Sequence, residues 1–129
     1  MIVDSSAIVS LLLREHGWQR IVAALTTRSR VAIGAPTLTE TAIVLHAKGV
    51  LPSLLPATLL RTGMEVVPYT ERHALVAADA YATYGRGRHP ASLNFGDCMT
   101  YAVARLAQAP LLFVGNDFAL TDIEPALTA

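Results

Sequence analysis

The amino-acid sequence predicts an α/β domain whose strands run parallel and are covered by helices on both faces. Short apolar runs of strand character alternate with longer segments of helical periodicity, the pattern of βαβ crossovers. No Asn-Gly or comparable hairpin signal joins two of the runs, so neighbouring strands are linked by crossovers and lie parallel. The run Leu111-Leu112-Phe113-Val114 is apolar without alternation, as strands buried on both faces are. At 129 residues the chain matches one domain, 1–129, with a single core.

Each element has a local reason. Ile2-Val3 opens the first strand, and Asp4-Ser5-Ser6 supplies capping chemistry for a helix over Ala7 to Leu13. Trp18, Ile21, Val22 and Leu25 form the stripe of a second helix. Core packing is its default use and a partner groove the alternative. Val31-Ala32-Ile33 is the second strand, stopped by Gly34 and Pro36; a helix follows from about Thr37 to Ala47, ended by Gly49. Leu51 to Leu60 is a short helix, with Pro52 tolerable in its first turn and Pro56 a kink or break. Met64 to Val67 is the third strand, halted by Pro68, and the Ala-rich segment Thr70 to Tyr84 favours helix. The segment Gly85-Arg86-Gly87-Arg88-His89-Pro90 is a loop. Phe95 to Ala107 is a helix with Phe95, Cys98, Met99, Ala102, Val103 and Leu106 on its apolar face. Leu111 to Val114 is the last strand, and the tail beyond Gly115 is expected to be irregular. The sheet therefore holds four to five strands.

Composition excludes several classes. The apolar share is 53%, yet Arg14, Arg20, Arg28, Glu40, Lys48 and Arg61 break every run well before the roughly 18 residues of a membrane span. The expectation is a protein away from the membrane, with apolar surface covered by a partner or a second copy. The chain enters a strand at once, without a basic leader or cleavable hydrophobic segment, and its one cysteine, Cys98, forms no internal disulfide; both suit the cytoplasm. Ten bases balance ten acids, so net charge does not steer the chain to nucleic acid. Lys48 is the only lysine, and the remaining bases are arginines, suited to bidentate phosphate contact. Four histidines and one cysteine supply no zinc spacing.

The informative residues are four acids. Asp4 ends the first strand, Asp117 follows the last, Glu40 lies early in the helix after the second strand, and Asp97 in the first turn of the helix before the last. In a parallel sheet these positions share the carboxyl-end rim, where such folds bind ligands. Each acid has a simpler reading: Thr37-x-x-Glu40 and Asn94-x-x-Asp97 resemble capping boxes, Asp4 precedes a helix, and Asp117 suits a turn. Capping does not explain why four acids share one edge, where each raises the others' pKa unless a cation is present. Oxygen ligands in that number suit Mg²⁺ or Mn²⁺, and so point to metal-dependent phosphodiester chemistry. Arg86, Arg88 and His89, just upstream of Asp97, suit phosphate contacts; a solvated basic turn is the alternative. Asp79, placed mid-helix, and Asp122, placed in the tail, are expected to face solvent, and Cys98 to be core.

Asp4-Ser5-Ser6-Ala7, Glu40 after Pro36-Thr37, Asn94-Phe95-Gly96-Asp97-Cys98 and Gly115-Asn116-Asp117-Phe118 resemble, in order and spacing, the PIN-domain ribonucleases, and within them the VapC toxins of toxin–antitoxin pairs. The resemblance implies a three-layer α/β/α sandwich and Mg²⁺- or Mn²⁺-dependent endonucleolytic cleavage of RNA, held in check by a cognate antitoxin, with a homodimer favoured. It matches Asp4, Glu40 and Asp97 to the three main acids and Asp117 to a variable fourth, with Asn116 an alternative contributor beside it. Ser6 matches a hydroxyl residue that orients the first acid or a metal-bound water. Asp-Ser-Ser stands where Asp-Thr-Ser is common, which preserves the hydroxyl. The implied reaction is attack by an activated water, with Asp97 or Asp117 accepting its proton, leaving 5′-phosphate and 3′-hydroxyl ends. A receiver-like regulator is disfavoured by the lack of a late lysine, and a purely binding role by the presence of every acid. DNA as substrate and a non-toxin role in RNA processing stay open as alternatives.

Overall fold

Ile2–Val3 forms strand β1, and the extended backbone of Asp4 passes directly into helix α1, Ser5–Leu12, in the computed structural model, which describes residues 1–127. Helix α2 (Trp18–Thr27), strand β2 (Ala32–Gly34), helix α3 (Ala35–Ala47), helix α4 (Leu54–Thr62) and strand β3 (Glu65–Val67) follow. Helices α5 (Glu71–Tyr84) and α6 (Phe95–Ala107), strand β4 (Leu111–Leu112) and a 3-10 turn at Phe118–Leu120 complete the order.

The four strands are all parallel, in the order β3-β2-β1-β4. Ile2 and Val3 register with Leu111 and Leu112 on one side, and Ile2 with Ala32 on the other. Successive strand residues point to opposite faces, and the core divides accordingly. Ile2 and Leu111 pack with Ala77, Ala80, Tyr101 and Ala102 of α5 and α6. Val3, Ile33 and Leu112 pack with Ile8, Ile21, Leu25 and Leu55 of α1, α2 and α4. These two cores on either side of one sheet are a three-layer α/β/α sandwich. Fully burying a Val, Leu or Ile contributes about 1.5–3 kcal/mol each, and Val3, Ile8, Ile33, Leu111 and Leu112 are all fully buried. Gly34 lets α6 approach the sheet, since a Cβ there would sit 2.8 Å from Cγ2 of Val103.

Several local expectations are revised. Helix α3 begins at Ala35 rather than Thr37, with Pro36 inside its first turn, where a missing N–H costs nothing. Helix α4 starts beyond Pro52, and Pro56 falls in its first turn instead of kinking it. Phe95, placed on the apolar stripe of α6, is instead 78% exposed at the helix tip, while Cys98, Ala102 and Val103 are buried. Strand β4 is shorter than its apolar run, and the tail, irregular as expected apart from the 3-10 turn, runs against it as far as Ala126. The Leu111 N–H donates to the Glu124 carbonyl (2.9 Å), and the Ala126 N–H donates to the Leu111 carbonyl (2.8 Å). Phe118 and Ile123 enter the core, and the Tyr101 hydroxyl donates to Asp122 (2.7 Å), which also pairs with Arg105 at 3.2 Å. Asp122 faces solvent as expected and also ties the tail to α6. An edge strand left bare invites pairing with other chains, and this tail covers it.

Candidate active site

The four acids reach the carboxyl-terminal rim by four different routes. Asp4 leaves β1 at the point where the strand order reverses, the place where open parallel sheets form their binding crevice. It is 5% exposed and caps α1: Oδ2 accepts from the Ser6 N–H (3.1 Å) and from the Ser6 hydroxyl (2.6 Å). Ser6 Oγ in turn accepts from the Val114 N–H at 3.0 Å. One hydroxyl thus fixes Asp4 and clips it to the chain leaving β4.

Glu40 stands in the second turn of α3 and does not cap it, because the helix begins five residues earlier behind Gly34. Thr37, the would-be cap, is buried and shares a 2.9 Å hydrogen bond with Thr100 of α6. Glu40 Oε1 instead accepts from the Ser5 hydroxyl (2.8 Å), and Oε2 lies against Gly96 in the first turn of α6. A Cβ at Gly96 would overlap this carboxylate.

Asp97 forms a reciprocal capping box: its N–H donates to Asn94 Oδ1 (2.9 Å), and its Oδ2 accepts from the Asn94 N–H (3.1 Å). Burial pushes its carboxyl up from 3.8 to about 6; the Asn94 N–H opposes that, and the charges of Asp4, Asp117 and Glu40 push it further up. Capping and convergence are therefore both true of this residue. Asp117 is exposed just ahead of the 3-10 turn and makes no side-chain cap. Its charge nonetheless acts at Asp97. Its neighbour Asn116, also exposed, lends its carbonyl to the Ala119 N–H.

All four acids thus contribute to one negative field centred on Asp97. Among the described residues, no three His, Cys, Asp or Glu side chains are drawn into a ready-made metal cluster. Each of Asp4, Glu40 and Asp97 has one oxygen held by a nearby hydroxyl or amide, and the uncompensated charges repel. Mg²⁺ takes one or two carboxylates directly and keeps several waters, so this hard, all-oxygen donor set fits such an ion. The ion would also offset the burial and the neighbouring charges that together raise Asp97.

The basic loop sits beside α6. It is closed by a bridge between Gly85 and Leu93, with the Arg86 N–H donating to the Leu93 carbonyl (3.1 Å). Arg86 and Arg88 are exposed. His89 Nδ1 accepts from the Ala91 N–H (3.0 Å), and its ring meets the Tyr84 ring edge-on with centroids 5.0 Å apart. A backbone N–H can only donate, so the neutral ring carries its proton on Nε2. Cys98 is buried in the core, and burial pushes its thiol up to about 11, too high for a nucleophile.

Ser5, Gly96 and the Thr37–Thr100 pair are absent from the set that sequence reasoning identified. Two traces of them stand in the sequence. One is a second hydroxyl after Asp4, and the other is a glycine inside the first turn of a helix, where it lowers helix propensity.

The chain matches the family model described as PIN domain over residues 1–124. It is 45% identical to ribonuclease VapC36 of Mycobacterium tuberculosis over 127 residues, covering 96% of this chain and 91% of the relative. Ribonuclease VapC28 of the same organism is 41% identical over 130 residues, covering 98% of each. Among solved structures, Mycobacterium tuberculosis VapC20, a sarcin–ricin loop cleaving toxin, matches with a TM-score of 0.76 at 19% identity over 95% of both chains. FitAcB from Neisseria gonorrhoeae matches with a TM-score of 0.67 at 22% identity, over 96% of this chain and 94% of that one. At those identities the two structures bear on the fold alone.

Proposed function

Because this chain belongs to the PIN-domain family, among the VapC ribonucleases, we propose that it is a Mg²⁺- or Mn²⁺-dependent endoribonuclease of one PIN domain, the toxin of a toxin–antitoxin pair. A cognate antitoxin restrains it in the cytoplasm, and it works as a homodimer. The observation that carries this reading is the convergence of acids from separate segments of the chain: Ser5, next to Asp4, holds Glu40 against Gly96, next to Asp97, whose carboxyl is raised first by burial and further by the charges of Asp4, Asp117 and Glu40. Exposed Ile43, Leu51, Leu60 and Leu75 are apolar surface that a second copy or an antitoxin would cover. Among the described residues no helix is long and apolar enough to cross a membrane.

Asp4, Glu40, Asp97 and Asp117 would hold the cation. When bound, it supplies charge to stabilise a phosphoryl transition state and lowers the pKa of water. Ser6 and Ser5 keep Asp4 and Glu40 in place. Asp97 or Asp117 accepts the proton of the attacking water. Asp97 has one oxygen tied to the Asn94 N–H, so the other serves. Arg86, Arg88 and the His89 Nε2–H contact phosphates on the flanking strand. The nucleophile is water, so the 2′-hydroxyl takes no chemical part.

The test pairs wild type with Asp4→Asn on matched labelled RNA and DNA strands, with Mg²⁺ or with EDTA. Mg²⁺-dependent cutting of RNA by the wild type alone, leaving 5′-phosphates, is expected. A deoxyribose at the cut position should be tolerated. Cleavage unchanged in EDTA or in Asp4→Asn would overturn the reading, and DNA cut as fast as RNA would move the substrate.

A further inference from the structure

Beside the acidic rim, between α5 and α6, lies a cavity of about 620 Å³. Its walls are Tyr69, Tyr81, Phe95 and Met99, and its floor includes Ala77 and Cys98. The size follows from the sequence of α5: Ala74, Ala77 and Ala78 face the cleft with no more than a methyl each. At its mouth stand Arg86 and Asn94. Asn94 Oδ1 is committed to the Asp97 N–H, so its Nδ2 is the end that can donate outward.

Phe95 is the unexpected part. It is 78% exposed, and Tyr81 across the cavity is 41% exposed. Two exposed aromatic rings lining one apolar recess are a surface awaiting a flat partner. Asn94, which lines the recess, is hydrogen-bonded in both directions with Asp97 at the start of α6, so the recess adjoins the acidic site through that residue. Exposed π-faces, an arginine at the lip and continuity with a phosphate-cleaving site are together the features by which proteins hold unpaired bases of single-stranded nucleic acid.

We propose that the cavity between α5 and α6 is a nucleobase pocket, in which the base of an RNA nucleotide flanking the scissile phosphate stacks between Phe95 and Tyr81 while Arg86 meets its phosphate. This rests on the RNA-cleaving function proposed above and adds a determinant of where cleavage falls. Phe95 and Tyr81 act by positioning the strand and take no part in the chemistry.

The test measures binding, so that it does not depend on cleavage. A non-cleaving Asp97→Asn protein in Mg²⁺ is titrated into a fluorescein-labelled single-stranded RNA 12-mer of random sequence, and into an abasic 12-mer of the same ribose-phosphate backbone. Stacking one base on an aromatic side chain is worth roughly 5- to 150-fold in affinity, so the base-bearing strand should bind at least about fivefold tighter. Adding Phe95→Ala or Tyr81→Ala should abolish that preference with little effect on the abasic strand, and Phe95→Tyr should keep it. Equal weakening on both strands, or no effect on either, overturns the pocket while leaving the nuclease reading intact. Failure to bind either RNA overturns both. Sedimentation of the same variants covers the remaining occupants: dissociation of a dimer by Phe95→Ala would assign the cleft to a second copy of the chain and overturn the proposal.

Discussion

Replacing Asp97 by Asn should make the metal-free protein more stable at neutral pH while removing its activity. The Asp97 carboxyl is raised from 3.8 to about 6. Fully expressed, that displacement corresponds to about 3 kcal/mol against the ionised folded state. Partial exposure and solvent screening reduce it to about 1–2 kcal/mol. Asn keeps a side-chain oxygen for the Asn94 N–H, so the capping box survives. It forfeits the attraction between a carboxylate and the N-terminus of α6, about 0.3–1 kcal/mol. The net gain is about 1 kcal/mol, or about 3–6 °C in melting temperature for a chain of this size. The sign follows from linkage. A carboxyl with a raised folded pKa costs nothing below its unfolded value of 3.8 and its full amount above about 6. Melting curves in EDTA between pH 4 and 8 should therefore show the two proteins level at the acid end, with the variant pulling ahead as pH rises through 6. Added Mg²⁺ should stabilise the wild type by mass action and leave the variant behind. A variant that melts at or below the wild type at pH 8 in EDTA would refute the claim that burial, reinforced by the neighbouring acids, disfavours the Asp97 charge in the folded state.

Gly96→Ala should displace the Glu40 carboxylate, which a Cβ would overlap. The expected cost is tenfold or more in kcat/KM with folding stability unchanged or raised by up to about 1 kcal/mol, since Ala outranks Gly within a helix. Among the described residues the buried Ser10 hydroxyl has no hydrogen-bond partner, so Ser10→Ala should raise stability by about 1 kcal/mol in urea denaturation; a loss would reveal a hidden partner. The Cys98 thiol, buried and raised to about 11, should resist iodoacetamide at pH 8 until urea unfolds the chain. Rapid native labelling would mean that the floor of the α5–α6 cleft opens to solvent.

Much of this protein was legible in its sequence because the relevant signals are local. Strand period, the cap chemistry of Asp4 and Asn94 and the absence of hairpin turns depend on residues a few positions apart, and they are enough to place α1, α6 and a parallel sheet. They also put Asp4, Glu40, Asp97 and Asp117 on one rim, because a crossover topology sends every strand's carboxyl end the same way. Tertiary structure decided what depends on distances between remote segments. Thr37 lies inside α3 and pairs with Thr100 across 63 positions, so it does not cap the helix. Ser5 holds Glu40 across 35 positions, and Gly96 makes room for it. The tail folds back on β4 since an edge strand needs its hydrogen bonds met, and Phe95 faces outward because its place at the tip of α6 lies beyond the reach of the core. Periodicity names the elements and the chemistry at their ends. Only packing between them decides which oxygen each acid presents and which aromatic ring is left for another molecule.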